Sequence, residues 1–145
     1  MSREKLEKDF EECSQVFVYG SLKEGEWNNR LLSSSFKLST TSTADLFIMG
    51  NVGFPYSVPK EHVPEELTLT YLPVEGEVWE VDDIFTFMSL DSLEGEGSHY
   101  HRELRSMKDG TKVWMYVQRD WETLHYCTQC ETTEKGEYRW SSQLS

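Results

Sequence analysis

Short apolar runs of strand length, punctuated by Gly, Pro, Ser and Asp, dominate the chain, and helical spacing shows in only a few places. Over residues 3–13, Leu6, Phe10 and Cys13 recur at offsets of four and three among acids and lysines, which predicts a short amphipathic helix. Residues 16–19 are an unbroken β-forming run that ends at Gly20-Ser21. Residues 25–33 predict a loop and a short helix carrying Asn28, Asn29 and Leu31-Leu32, stopped by Ser33-Ser34-Ser35. Residues 36–49 predict one bent strand or two, residues 50–56 are rich in turn formers, and residues 67–71 and 74–81 predict strands around Pro73. Asp82 or Asp83 is placed to cap a helix running to Leu93, with Ile84, Phe87, Met88 and Leu90 for its buried side. Gly95 follows, where a left-handed residue commonly ends a helix. Residues 100–108 and 111–118 predict a hairpin across Asp109-Gly110, and residues 121–128 and 137–142 a further one. Many strands with one long helix predict an α+β domain: a small mixed β-barrel with a long helix over one side.

Composition narrows the setting. At 145 residues the chain is expected to be one domain with a single core, and 37% hydrophobic with 13% aromatic residues is a globular composition. No apolar run approaches the roughly 20 residues that cross a membrane, and the charged N-terminus leads into no apolar signal core, so a soluble cytoplasmic protein is expected, with no membrane partner. A formal net charge of -12 repels phosphate backbones, which argues against nucleic acid as a partner. Three cysteines, an odd number, suit a reducing compartment better than a disulfide framework. Cys127-Thr128-Gln129-Cys130, with His125 just ahead, has metal-ligand spacing, yet a closed zinc site needs four ligands and no second such pair exists. His99 and His101 share a strand face but lack an evident third ligand. A structural zinc in the tail therefore stays an alternative, and the expectation is no metal.

Two places carry candidate chemistry. A tight loop at Gly20-Ser21 turns backbone N–H groups outward around a residue with no Cβ, and such groups hold carboxylates or oxyanions; a plain turn has the same sequence. Glu94 is expected at the C-terminal end of a helix, where the carbonyl dipoles raise a carboxyl's pKa, and burial beside Leu93 would push the same way. Glu96 makes the same segment readable as an exposed acidic loop.

The order of these pieces resembles the gamma-glutamylcyclotransferase-like family, in its gamma-glutamylamine cyclotransferase or avirulence-induced-gene-like branch. The family pattern runs FVYG(S/T)L(K/R)-x-G with a later Asn and Leu, then GE(V/I)(Y/W)-x-(V/I), LD-x-(L/F)E, Y-x-R and a late aromatic strand. Here it is matched by VFVYGSLKEGEWNNRLL at residues 16–32, by GEVWEV at 76–81, LDSLE at 90–94, Tyr100-His101-Arg102 and VWMYV at 113–117. The resemblance spans residues 16–117, which makes residues 1–14 an N-terminal helical extension and residues 119–145 a C-terminal one on a single domain. It implies a cofactor-independent cyclotransferase that releases 5-oxoproline and an amine from a gamma-glutamyl amine or related amide. Glu94 matches the general base, and Tyr19, Gly20, Ser21 and Leu22 match the loop that binds the glutamyl portion through backbone groups. Residues 50–56 resemble the family's glycine-proline loop beside the substrate pocket, and Tyr100, Arg102 and Tyr116 match further substrate-contacting positions; Arg102 is expected to orient Glu94 or a substrate carboxylate. A binding module without turnover on the same fold is the alternative; the apolar stripe of the N-terminal helix is expected to pack on its own domain, with a protein partner docking through it as the lesser alternative.

Overall fold

A computed structural model describes residues 3–95 and 100–142; Glu96 and His99 lie outside the described residues. The first helix, α1 (Arg3–Glu12), leads into β1 (Gln15–Val18). A 3-10 helix at Trp27–Leu32 precedes β2 (Phe36–Ser42), β3 (Phe47–Asn51), β4 (Pro55–Pro59) and β5 (Glu75–Glu80). The second helix, α2 (Ile84–Glu94), is followed by the hairpin β6 (His101–Ser106) and β7 (Lys112–Val117). Three two-residue strands close the chain: β8 (Thr128–Gln129), β9 (Glu131–Thr132) and β10 (Tyr138–Arg139).

The main sheet has the order β2-β5-β1-β7-β6, with β1 parallel to β7 and every other neighbouring pair antiparallel. Of its central strands, β1 and β7 are apolar after their first residue because both faces are covered, while β5 carries Glu75, Glu77 and Glu80 beside Val78 and Trp79. In β7, Val113, Met115 and Val117 join Phe17, Phe47 and Val78 in one core. The alternate Trp114 and Tyr116 join Val16, Val18, Phe87 and Leu90 in a second core under the helices. The sheet curls until its two edge strands meet at Thr43 and Met107, through Ala44 N–H to Ser106 O at 2.8 Å and Lys108 N–H to Ser42 O at 3.0 Å. No ladder joins β2 to β6 among the described residues, so the sheet is open where a closed barrel was expected. The chain leaves the sheet after this bridge to build a second one, β4-β3-β8.

Asp83 caps α2, its Oδ1 accepting from the Thr86 N–H at 2.9 Å, and Gly95 ends the helix in the left-handed conformation (φ 62°, ψ 46°). The helix has 11 residues. Against it lies α1, with the Phe10 and Phe87 rings 5.2 Å apart and Leu6 buried in the same core. The apolar stripe of α1 is thus spent on its own domain, and a partner docking through it finds no support. Other expectations are corrected too. Residues 67–71 form no strand, since only Leu72 bridges to Phe47, whereas Pro55–Pro59 is a strand that the turn-rich reading of its start concealed. Trp121–Tyr126 is a 3-10 helix, and the last hairpin pairs β9 with β10 across Gly136 at φ 77°. Among the described residues no helix is long and apolar enough to cross a membrane.

Candidate active site

Where β1 ends, the chain enters a loop whose hydrogen bonds are one-sided. The carbonyl of Gly20 accepts from the Lys23 N–H at 3.1 Å, that of Ser21 from the Asn28 N–H at 3.0 Å, and that of Leu22 from Asn29 Nδ2 at 2.8 Å. Asn28, buried at the start of the 3-10 helix, also donates from Nδ2 to Ser21 Oγ at 2.8 Å. With the carbonyls taken up in this way, the backbone N–H groups of Gly20, Ser21 and Leu22 donate to nothing among the described residues. All three residues line a cavity of about 890 Å³. Leu22 is buried and Gly20 and Ser21 are half-buried, so three unspent donors on residues lining a cavity offer a place for an anionic or carbonyl oxygen.

Gly20 is required here for space rather than for a left-handed backbone. A Cβ on it would fall 2.8 Å from Pro55 Cγ and 3.0 Å from Cδ, so the loop and the start of β4 approach as closely as a bare Cα allows. Tyr19, buried beside it, donates its hydroxyl to the Tyr116 carbonyl and ties the loop to β7. Tyr100 donates to the Pro55 carbonyl at 2.9 Å, which braces the other wall.

Glu94, the last residue of α2, lines the same cavity. It is half-buried, and no hydrogen bond or ion pair holds its carboxyl among the described residues. Burial, and secondly the charge of Asp91, push its pKa from the usual carboxylate range up to about 7. The carbonyl end of α2 acts in the same direction. Burial also drives the phenols of Tyr100 and Tyr116 upward, the first helped by Glu94 and the second by Asp91, so both stay protonated donors.

Tyr19, Gly20, Ser21, Leu22, Glu94, Tyr100 and Tyr116 therefore converge on one cavity, and Arg102 does not. Its guanidinium grips Asp91 with Nε at 2.9 Å and Nη2 at 3.0 Å, and gives Nη1 to Asp9 of α1 at 2.9 Å. It lies between the Phe87 and Trp114 rings, 4.6 and 4.7 Å from their centroids. The expected direct contact with Glu94 or substrate is replaced by an indirect one through Asp91, which also accepts from the Tyr116 hydroxyl at 2.5 Å. Helical spacing explains this: Asp91 sits three residues before Glu94, so anchoring the one orients the last turn that carries the other.

Gln118 and Trp140 are among the lining residues that the sequence did not assign to the site, and Pro55 gains a specific role. Gln118 is buried and continues the Trp114–Tyr116 alternation of β7, a signal that period two supplies. Pro55 faces Gly20, and Trp140 reaches the cavity from the C-terminal stretch, its carbonyl accepting from Lys23 Nζ at 2.5 Å. Trp140 carries no local sequence signal, whereas Pro55 belongs to the glycine-proline segment of residues 50–56. The tail thiols diverge, with Cys130 in the main core and Cys127 against Gly50 in the second sheet. Among the described residues no three His, Cys, Asp or Glu side chains gather to hold a metal ion.

Comparison with known proteins gives a consistent answer. The family model described as "Gamma-glutamyl cyclotransferase, AIG2-like" matches residues 16–140, beyond the Val117 at which the motifs end and up to Trp140 in the cavity wall. Troponin C-akin-1 protein of Drosophila melanogaster is 30% identical over 142 residues, covering 86% of this chain and 80% of that one. The gamma-glutamylcyclotransferase family protein YtfP of Escherichia coli is 29% identical over 103 residues, covering 71% and 80%. Among solved structures, an AIG2-like protein from Mus musculus has the same fold, with a TM-score of 0.59 at 21% identity over 88% of this chain and 96% of that one.

Proposed function

Because the chain belongs to the gamma-glutamyl cyclotransferase, AIG2-like family, membership that supports cyclotransferase activity in general, we propose that it cyclises a gamma-glutamyl amine or related amide with Glu94 as the proton carrier. The observation that carries the reading is that Glu94, poised near neutral pH, shares one cavity with three unspent backbone donors. The substrate's own α-amine attacks its γ-carbonyl carbon, the γ-amide C–N bond breaks, and a five-membered lactam, 5-oxoproline, forms as the amine departs. Both reacting groups belong to one molecule, so holding the chain folded in a near-attack geometry supplies much of the acceleration.

Glu94 takes a proton from the α-ammonium to free the nucleophile, then delivers one to the leaving nitrogen. A carboxyl with a pKa of about 7 suits both halves, because it is neither locked as the anion nor locked as the acid near neutrality. The N–H groups of Gly20, Ser21 and Leu22 receive the developing oxyanion or the substrate carboxylate, a role worth about 3 kcal/mol for each oxyanion donor. Tyr100 and Tyr116, protonated at any physiological pH, close the wall and hold Pro55 and Asp91. Arg102 is a positioning residue acting through Asp91. The three free thiols fit a reducing, cytoplasmic setting. The test is incubation with a panel of gamma-glutamyl amides and detection of 5-oxoproline by mass spectrometry. Product from at least one member supports the reading, and none from folded protein removes it in favour of a binding module.

A further inference from the structure

We propose that the amine portion of the substrate is an apolar group, best an aromatic one, seated on Trp27 and Phe54 at the mouth of the cavity. The proposal rests on the cyclotransferase reading for the placement of the glutamyl end. Trp27, Phe54 and Leu93 line the cavity and yet are 69%, 46% and 42% exposed, which places them at its mouth. Large apolar side chains exposed together beside a cavity mark a surface kept for a ligand rather than for the fold. Leu93 directly precedes Glu94, so this rim is continuous with the reacting centre and lies where a leaving amine must project.

The two rings are held in place before any ligand arrives. Arg30 lies over the Trp27 ring at 5.5 Å, and Phe54 packs on Tyr100 with centroids 6.4 Å apart, Tyr100 itself being tied to the Pro55 carbonyl. Aromatic walls of this kind gain from offset or edge contacts with a ligand ring beyond the area they cover. The polar alternative is poorly provided for. Besides Glu94, the acidic and guanidinium side chains of the lining are Arg119 and Asp120. Arg119 gives Glu103 two hydrogen bonds, at 2.9 and 2.6 Å. Asp120 is spent on the Glu122 N–H at 3.1 Å and the Thr123 hydroxyl at 2.9 Å. A second charge on the amine portion would meet groups already engaged elsewhere.

Three probes sharing the glutamyl end decide the matter: gamma-glutamyl-phenethylamide, gamma-glutamyl-methylamide and the gamma-glutamyl amide of the lysine ε-amine. Affinity is read by calorimetry on the Glu94→Gln variant, and 5-oxoproline release on the unmodified protein. The phenethylamide should bind at least tenfold tighter than either of the others, and Trp27→Ala or Phe54→Ala should collapse that ratio to within about threefold. Equal affinities, preference for the lysine amide, a ratio that survives both substitutions, or binding of none of the three would overturn the proposal. Intact binding order with no 5-oxoproline from any probe would keep the aromatic rim and remove the chemistry, so the two readings fail separately.

Discussion

Replacing Arg102 by Met should cost about 3–4 kcal/mol of folding stability. The side chain is 1% exposed and is shared by two buried carboxylates, those of Asp9 (5% exposed) and Asp91 (12%). Removing one partner of a buried ion pair typically costs ~3–5 kcal/mol, because the orphaned charge keeps its desolvation penalty without its compensation. Two orphaned carboxylates argue for the upper end. Relief comes from Lys5, which still pairs with Asp9 at 2.7 Å, and from the Tyr116 hydroxyl, which still donates to Asp91. For a domain of this size the loss amounts to roughly 10–15 °C in melting temperature. Urea unfolding followed by tryptophan fluorescence measures it, with Arg102→Lys as the comparison that keeps the charge and loses the fork. A loss below about 1 kcal/mol would refute the assignment of Arg102 as the clamp between α1, α2 and β6. Asp91 left without its guanidinium would also weigh more heavily on Glu94, so in any Arg102→Met protein that folds, the Glu94 titration should move upward.

Other expectations follow from the same geometry. If Glu94 must be ionised to accept a proton, catalytic efficiency should fall about tenfold per pH unit below an apparent pKa near 7 and level off above it; a limb near 4.5, an unperturbed carboxyl, would contradict the environment described. Asp9→Asn should cost about 1–2 kcal/mol at pH 7. Burial alone would raise the Asp9 carboxyl, but hydrogen bonds and charge from Lys5 and Arg102 hold it below the usual value. Its contribution is therefore complete above the unfolded carboxylate pKa and is lost as pH falls through the lower folded one, so the gap between wild type and Asp9→Asn in denaturant midpoints should narrow progressively once the pH falls below the ordinary aspartate value of about 3.9. Gly20→Val should abolish detectable binding of a gamma-glutamyl ligand in calorimetry, because its Cβ would strike Pro55, whereas Ser21→Ala, which loses one bond from Asn28, should weaken binding only a few-fold.

What could be read in the sequence was local. The α2 cap at Asp83, the left-handed Gly95 and the hairpin across Asp109-Gly110 each depend on residues a few positions apart, and each formed as expected. Pairings between distant segments were not legible. The parallel neighbour of β1 is β7, nearly a hundred residues on, and the single bridge that stops the sheet short of closure is a matter of curvature, not composition. The site divides along the same line. Local residues alone left the glycine loop readable as a plain turn and Glu94 as part of an exposed acidic loop, and the ordered family motifs around them singled both out. Arg102 was misplaced because strand alternation gives a side chain's face but not whether a buried carboxylate waits there, and Asp9 comes from a helix outside the family pattern. Trp140 joins the cavity only through tertiary packing of the tail.

The central claim is that one carboxyl moves the proton. Release of 5-oxoproline from the best gamma-glutamyl amide should be compared between wild type and Glu94→Gln at pH 7.5, with substrate affinity measured alongside. The account predicts that turnover slows by about two to four orders of magnitude while affinity changes less than about threefold, since glutamine keeps the shape and loses the base. Equal turnover in the two proteins would contradict it.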